Sequence, residues 1–280
     1  MRAIDVRHLG RERVICCWEV DGVLIDPGPE SCLDTLLEAL DGAEPRALLL
    51  THIHLDHAGA TGALVERFGD LPVFVHERGA RHLVDPSILL DSAGRLYGDE
   101  MERLWGRVAP VPEANVRPLA GGETVAGFEV AYTPGHASHH VAYLHGDSGT
   151  VFAGDVAGVR IPPENLVLPP TPPPDIDVEA WLQSLDRVAA WAPSRLGITH
   201  FGAVEDPAAH LEIVRERLRA WADLARRLDA DSFEAQIRAE VQRQAPEAAP
   251  SLLQAVPPGQ QWHGLDRYWR KRDASLSSPG

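Results

Sequence analysis

A chain of 280 residues can build one large domain, or one domain with an appendage, and its 44% hydrophobic and 24% charged residues argue against wholesale disorder. Aspartate and glutamate number 41 against 26 lysines and arginines, a formal charge of −15, which repels phosphate backbones and counts against nucleic acid as the main partner. No apolar run approaches the roughly 20 residues that a bilayer span needs, so no membrane association is expected.

Taken in chain order, the opening MRAIDVRHLGRERVICCWEV has basic residues but no apolar run ending in small residues, and a cytoplasmic address is expected. Cys16 and Cys17 are neighbours in a strand-like run and should point to opposite faces. With Cys32 they make an odd, sparse set, read as small buried thiols rather than disulfides. ERVICCWEV and GVLIDPG read as strands joined by an Asp21-Gly22 hairpin turn. SCLDTLLEAL has helical spacing from Ser31, a good N-cap residue, to Leu40. RALLLT (46–51) is a compact buried-strand run, AGATGALVERF a helix, and LPVFVH a strand. Residues 80–115 are mixed and helical without clear boundaries.

Strand runs resume at GFEVAYT (127–133), HVAYL (140–144) and TVFA (150–153). Seven prolines between Pro162 and Pro174 predict a stiff, irregular loop. VEAWLQSLDRVAAW (178–191) is an amphipathic helix and RLGIT (195–199) a strand. From Pro207 to about Gln244 the pattern is helical and highly charged, and a separate tail follows from Pro246. Strands separated by helices indicate an α/β layered fold, and the hairpin signals make its sheets mixed.

The chemistry concentrates in THIHLDHAG, directly after RALLLT, where His52, His54, Asp56 and His57 fall within six residues. Neutral imidazoles and a hard carboxylate are the ligand types that suit zinc and related divalent ions. The placement repeats three times. His136 follows GFEVAYT, Asp155 follows TVFA, and His200 follows RLGIT. Four apolar strands thus end in short turns that present metal-ligand residue types, where strand ends of an α/β structure gather active-site groups.

HIHLDH, TPGH, GD and TH, in this order over roughly residues 12–205, resemble the metal motifs of the metallo-β-lactamase superfamily. The resemblance implies a four-layer αβ/βα sandwich with mixed sheets and the metals at one edge between them. Here a catalytic domain at 1–230 would be followed by a C-terminal helical extension and tail at 231–280. Carried over residue by residue, it implies that His52, His54 and His136 hold one metal ion, that Asp56, His57 and His200 hold a second, and that Asp155 bridges them. Asp26 in LIDPG resembles the aspartate beneath the site. Two divalent ions, zinc by expectation with iron or manganese as the other options, would share a water and lower its pKa toward neutrality. Its hydroxide would attack an ester, thioester, lactone or amide of a small molecule, with Asp56 also orienting it as a catalytic residue.

Glyoxalase II-like thioesterases and lactonases look nearest, but VAGVRIPPENLVLPPTPPP after Asp155 has no obvious counterpart of the glutathione-binding segment. The alternative is an iron-dependent oxidoreductase on the same fold, of the persulfide dioxygenase or diiron kind. The diiron flavoprotein pattern has glutamate where this chain has His54.

Arg160 and His140 are candidate substrate-binding residues: a guanidinium suits an anionic group, and His140 stands four residues after His136. An ion pair and ordinary packing are their respective alternatives. His139 and His145 read as surface or strand-end histidines, and His8, His76, His82, His210 and His263 have no partner motif. In the tail, 246–258 reads as a connector with limited helix. Trp262, Leu265, Tyr268 and Trp269 then mark one helical face, expected to dock near the metal-bearing edge or across a homodimer.

Overall fold

The computed structural model describes residues 1–277. Six strands in sequence order make the first sheet: β1 (Arg2–Asp5), β2 (Cys16–Val20), β3 (Val23–Ile25), β4 (Ala47–Leu49), β5 (Val73–His76) and β6 (Val116–Leu119). The first three are antiparallel neighbours, and β3 to β6 run parallel. Asp21 and Gly22, with φ of 50° and 78°, make the left-handed turn between β2 and β3 that their sequence signals.

The second sheet holds β7 (Thr124–Val125), β8 (Phe128–Tyr132), β9 (Val141–His145) and β10 (Thr150–Phe152), joined by β13 (Arg195–Ile198) and β14 (Gly202–Val204). It too is mixed: β10 and β13 are parallel and every other pair is antiparallel. Between them in sequence, β11 (Val159–Arg160) and β12 (Val167–Leu168) pair as a small ribbon. The proline-rich segment therefore contributes one short strand to an otherwise irregular course.

Strand alternation sorts the side chains into layers. Cys16, Trp18, Val20 and Leu49 point inward against Phe128, Tyr143 and Phe152 of the facing sheet. Cys17, Leu24 and Leu48 point outward and pack under α1 (Leu33–Leu40) and the helix Thr61–Phe68. The adjacent cysteines thus serve opposite faces, both buried and free of disulfides. On the far side, Ala142, Val151, Leu196 and Ile198 pack under the C-terminal helices. The order is helices, sheet, sheet, helices.

After α1 come α2 (Leu55–Ala58), α3 (Thr61–Phe68), α4 (Glu77–Val84), α5 (Ser87–Tyr97) and α6 (Met101–Trp105). Ser31 does not cap α1: its hydroxyl donates to the Leu104 carbonyl at 2.7 Å, and a 3₁₀ turn at Glu30–Cys32 leads into the helix.

The last helices are α7 (Val178–Ala190), α8 (Pro207–Arg227), α9 (Ala230–Gln244), α10 (Ala249–Ala255) and α11 (Pro258–Ser277). Asp177, Asp206 and Asp229 cap α7, α8 and α9 by accepting from backbone N–H groups. The segment 246–258 is more helical than its prolines suggest, because Pro250 falls in the first turn of α10, where a missing N–H costs nothing. α11 lies on α8 and α9 with Leu265 and Tyr268 buried in the same cluster as α7 and β13. Trp262 and Trp269 donate to the carbonyls of Leu228 and Ala222, both at 2.8 Å. Arg272 pairs with Glu179, and Arg267 and Lys271 donate to the Pro174 carbonyl. The aromatic-basic patch thus docks on its own chain. Among the described residues no helix is long and apolar enough to cross a membrane.

Candidate metal centre

Four loops bring seven side chains to one edge of the two sheets. β4 runs into His52 and His54, and His57 lies on α2 immediately after. His136 follows β8, Asp155 follows β10, and His200 follows β13. Two close approaches make room for them. A Cβ on Gly154, at φ +46°, would stand 2.5 Å from Thr51 Oγ1 and 2.8 Å from His140 Nε2, while one on Gly135, at φ +134°, would stand 2.3 Å from the Trp181 backbone.

The side chains fall into two groups, His52 with His54, His136 and Asp155, and Asp56 with His57 and His200. In the first, His54 Nδ1 is 3.0 Å from both His52 Nε2 and His136 Nε2. Nitrogens bound to one tetrahedral zinc at about 2.0–2.1 Å stand roughly 3.3 Å apart, so three nitrogens this close converge on one cation position. Asp155 faces both groups. Its Oδ2 is 3.3 Å from His136 Nε2, and its Oδ1 is 3.2 Å from His57 Nε2 and 3.6 Å from His200 Nε2. Asp56 Oδ2 completes the second group, 3.4 Å from His200 Nε2 and 3.8 Å from His57 Nε2.

Hydrogen bonds behind the rings set their tautomers. His136 Nδ1 lies 2.8 Å from the Pro170 carbonyl and His200 Nδ1 2.6 Å from that of Val14. A carbonyl only accepts, so each Nδ1 carries the proton and each Nε2 keeps its lone pair toward the centre. His57 Nδ1 donates in the same way to Asp26 Oδ2 at 2.8 Å. Asp26 is fully buried and also accepts from Thr51 N, Thr51 Oγ1 and Thr199 Oγ1, which is the placement beneath the site that its LIDPG context suggests.

This donor set fits divalent metal ions. His57 Nε2 and Asp155 Oδ1 are buried with no hydrogen-bond partner among the described residues, and both face the interior of the cluster. Unpartnered buried lone pairs of these two kinds are costly without a cation. Three carboxylates, Asp26, Asp56 and Asp155, also need roughly that many positive charges nearby. In the protein's own field this demand falls chiefly on His57. Burial opposes a charge on His57, but Asp155, Asp26 and Asp56 raise its pKa well above the usual value. Burial likewise opposes ionisation of Asp155, and His57 and His136 hold its carboxyl well below the usual range. His54, by contrast, is pushed down to about 4 by burial and by His136.

The remaining candidates separate. His140 is fully buried, with Nδ1 2.9 Å from Thr133 Oγ1 and its ring stacked 5.1 Å from that of His52, so it supports the cluster from behind. Arg160 brackets His200 through its backbone, and its guanidinium is bonded to Asn165. Neither lines the cavity in front of the cluster. His139, read from the sequence as a surface or strand-end residue, instead stands on the cavity wall with its ring 5.9 Å from that of His54. His145 does end β9.

The cavity measures about 950 Å³ and exposes His54, Asp56, Asp155 and His200 at its floor. Sequence reasoning missed His8, whose ring stacks on Trp105 at 5.3 Å and whose Nε2 meets the Leu104 carbonyl at 2.9 Å. It also missed Tyr97 and Trp105, because nothing in the unclear 80–115 stretch signals that it folds over the site. Gln260 and Gln261 of α11 reach the same cavity, so the tail does approach the metal-bearing edge.

The family model described as the metallo-beta-lactamase superfamily matches residues 19–200. The metallo-beta-lactamase fold-containing protein ST1585 of Sulfurisphaera tokodaii is 31% identical over 68% of this chain and 72% of its own length. Its crystal structure superposes with a TM-score of 0.65, covering 91% of this chain and 93% of that one at 24% identity. A hydroxyacylglutathione hydrolase of Thermosynechococcus vestitus is 34% identical, over 47% of this chain but only 42% of the relative. The crystal structure of TTHA1623 in a di-iron-bound form is 32% identical, with a TM-score of 0.54 over 71% of this chain and 91% of that one.

Proposed function

Because the chain belongs to the metallo-beta-lactamase superfamily, we propose that it is a two-metal hydrolase acting on an ester, thioester, lactone or amide of a small molecule. The observation that carries the reading is Asp155, with one carboxylate oxygen turned to each group of imidazoles. Two divalent cations held there would supply Lewis acidity and a water that ionises near neutral pH. His52, His54 and His136 would hold one, Asp56, His57 and His200 the other, and Asp155 both. Zinc is the expected metal, and the di-iron form of TTHA1623 supports iron as a competent occupant.

The chain's own residues do the rest. Asp26 and the Pro170 and Val14 carbonyls fix the Nδ1 side of each ring and aim the Nε2 atoms at the centre. Asp56, with its side chain 23% exposed, borders the cavity, and its carboxylate is placed to accept a hydrogen bond from a water standing there and so to orient it. In the overall hydrolysis one water proton would leave with the departing group. The name of the hydroxyacylglutathione hydrolase supports hydrolysis of an acyl compound, but the alignment leaves more than half of that relative unmatched, so its own substrate does not carry over. An iron-dependent oxidoreductase is the less favoured reading, since position 54 is histidine and all seven candidate ligand residues are present.

The test combines elemental analysis of protein purified without chelator with a panel of esters, thioesters, lactones, phosphodiesters and β-lactams. About two metal equivalents and metal-dependent turnover of an acyl substrate are expected. Asp155→Ala should lose metal from both groups and at least 100-fold in rate. A stable single equivalent in metal-replete enzyme, or turnover that survives metal removal, overturns the reading.

A further inference from the structure

The walls of the cavity are sorted by chemistry in a way the metal cluster does not require. α5 has no buried residue, unlike the other long helices that cover the core (α1, α3, α4 and α7). Its Ile88, Leu89, Ala93 and Leu96, spaced one, four and three residues apart, form an apolar stripe that lines the cavity, with Ile88 left 65% exposed. Tyr97 and Trp105 continue that wall, their rings 5.1 Å apart edge to face. Leu89 also touches the core beneath, while the rest of the stripe faces the cavity, a surface complementary to an apolar ligand.

The mouth of the same cavity is basic on a protein that is acidic overall. Arg78 and Arg81, one turn apart on α4, and Arg95 of α5 line it and are exposed. Among the described residues none of the three is ion-paired with a carboxylate: Arg78 lies over the Tyr132 ring and Arg81 donates to His82. Four carboxylates also border the cavity. Asp56 and Asp155 belong to the metal cluster and Asp175 accepts from Ser138 at 2.6 Å, which leaves Glu77 against three guanidinium groups. An unpaired guanidinium fork is suited to a carboxylate or phosphate.

We propose that the substrate is an amphipathic acyl ester or thioester: an apolar acyl chain lies under α5 against Ile88, Leu89, Leu96 and Trp105, and an anionic leaving group rests on Arg78 and Arg81. This rests on the hydrolase reading and narrows it. In the reaction a water oxygen bonds to the acyl carbon, the bond to the leaving oxygen or sulfur breaks, and one water proton leaves with that group. Products are an apolar carboxylic acid and an anionic alcohol or thiol.

Binding is measured apart from turnover with uncleavable ethers, 5-alkoxy-2-nitrobenzoates with methyl to decyl chains, titrated calorimetrically into metal-loaded protein. The decyl ether should bind at least tenfold tighter than the methyl ether, and Leu89→Ser with Leu96→Ser should compress that ratio at least fivefold. Replacing the ligand's carboxylate by carboxamide should weaken binding about fivefold in the unaltered protein, a loss that Arg78→Gln with Arg81→Gln should abolish. A flat chain-length series or indifference to the ligand's charge overturns the proposal. So does a flat series accompanied by concentration-dependent dimerisation, which would assign the α5 face to a second copy of the chain. The matching 5-acyloxy-2-nitrobenzoate esters test the hydrolase reading separately. Ethers that bind as stated beside esters that are never cleaved would refute hydrolysis and leave the binding site standing.

Discussion

Replacing Asp26 by asparagine changes one oxygen to nitrogen and should weaken one metal position. Oδ2 of Asp26 accepts from Thr51 Oγ1 at 2.7 Å, His57 Nδ1 at 2.8 Å and Thr199 Oγ1 at 2.9 Å, and Oδ1 accepts from Thr51 N at 2.8 Å. An amide keeps only one acceptor. If its oxygen stays on Thr51 N, its NH₂ faces the imidazole and two hydroxyls. The hydroxyls can rotate to accept, but His57 can accept only by moving its proton from Nδ1 to Nε2, the atom turned toward Asp155 and Asp56. If the amide flips, two N–H donors confront each other in a fully buried place, at about 1–3 kcal/mol. The flip keeps an acceptor for His57 at the expense of the Thr51 N–H, whereas the unflipped amide loses the supporting contact to that histidine, which typically costs 10–100-fold in affinity, or about 1.4–2.7 kcal/mol at that position. Competition with a chromophoric chelator should therefore show one of two dissociation constants weakened by that factor and the other changed less than threefold. Thr199→Val is the control: it deletes a hydrogen bond to the same oxygen without touching the tautomer, and should lower stability by about 1 kcal/mol at nearly constant metal affinity. Equal metal affinities for Asp26→Asn and the parent would refute the tautomer argument.

Gly154→Ala inserts a methyl between Thr51 and His140 at a left-handed residue next to Asp155, and should cost about 1–3 kcal/mol in denaturant unfolding along with metal affinity. Normal unfolding and metal content would mean the loop relaxes freely. His210 is buried with Nε2 2.7 Å from the Ala157 carbonyl, and burial pushes its pKa down to about 4 from 6.5. The unfolded chain then binds more protons between those values, so stability is full above pH 6.5 and falls as pH drops toward 4, by roughly 3 kcal/mol for this group. His210→Gln should flatten that part of the stability–pH curve, and an unaltered curve would exclude His210 as its source. Deleting residues 258–280 removes Leu265 and Tyr268 from the core they help to cover, and should lower the unfolding midpoint by well over 10 °C. A truncated protein with the parent's midpoint would make α11 a mere appendage.

Which parts of this were legible in the sequence follows from how local their causes are. Alternation along CCWEV decides which cysteine faces which layer, because side chains flip at every residue of a strand. The residues of the candidate cluster were legible because each sits just beyond an apolar strand, so one rule applied to Thr51, Thr133, Ala153 and Thr199 locates the seven side chains that the fold brings together. Asp26, which follows β3, was legible through the resemblance of LIDPG to the family's pattern. Ser31 misled because its hydroxyl has a long-range competitor, the Leu104 carbonyl, that no local pattern encodes. Separations as long hid the far wall of the cavity. His8, Trp105 and the α5 stripe meet only after two helices without strong boundaries fold over the sheet edge, and α5 buries nothing of its own that would impose a clear period. A metal cluster must be written as specific residue types at fixed places. An apolar wall needs only bulk and hydrophobicity, and those look alike in a lid and in a core, so the sequence announces the chemistry of this site far more plainly than its specificity.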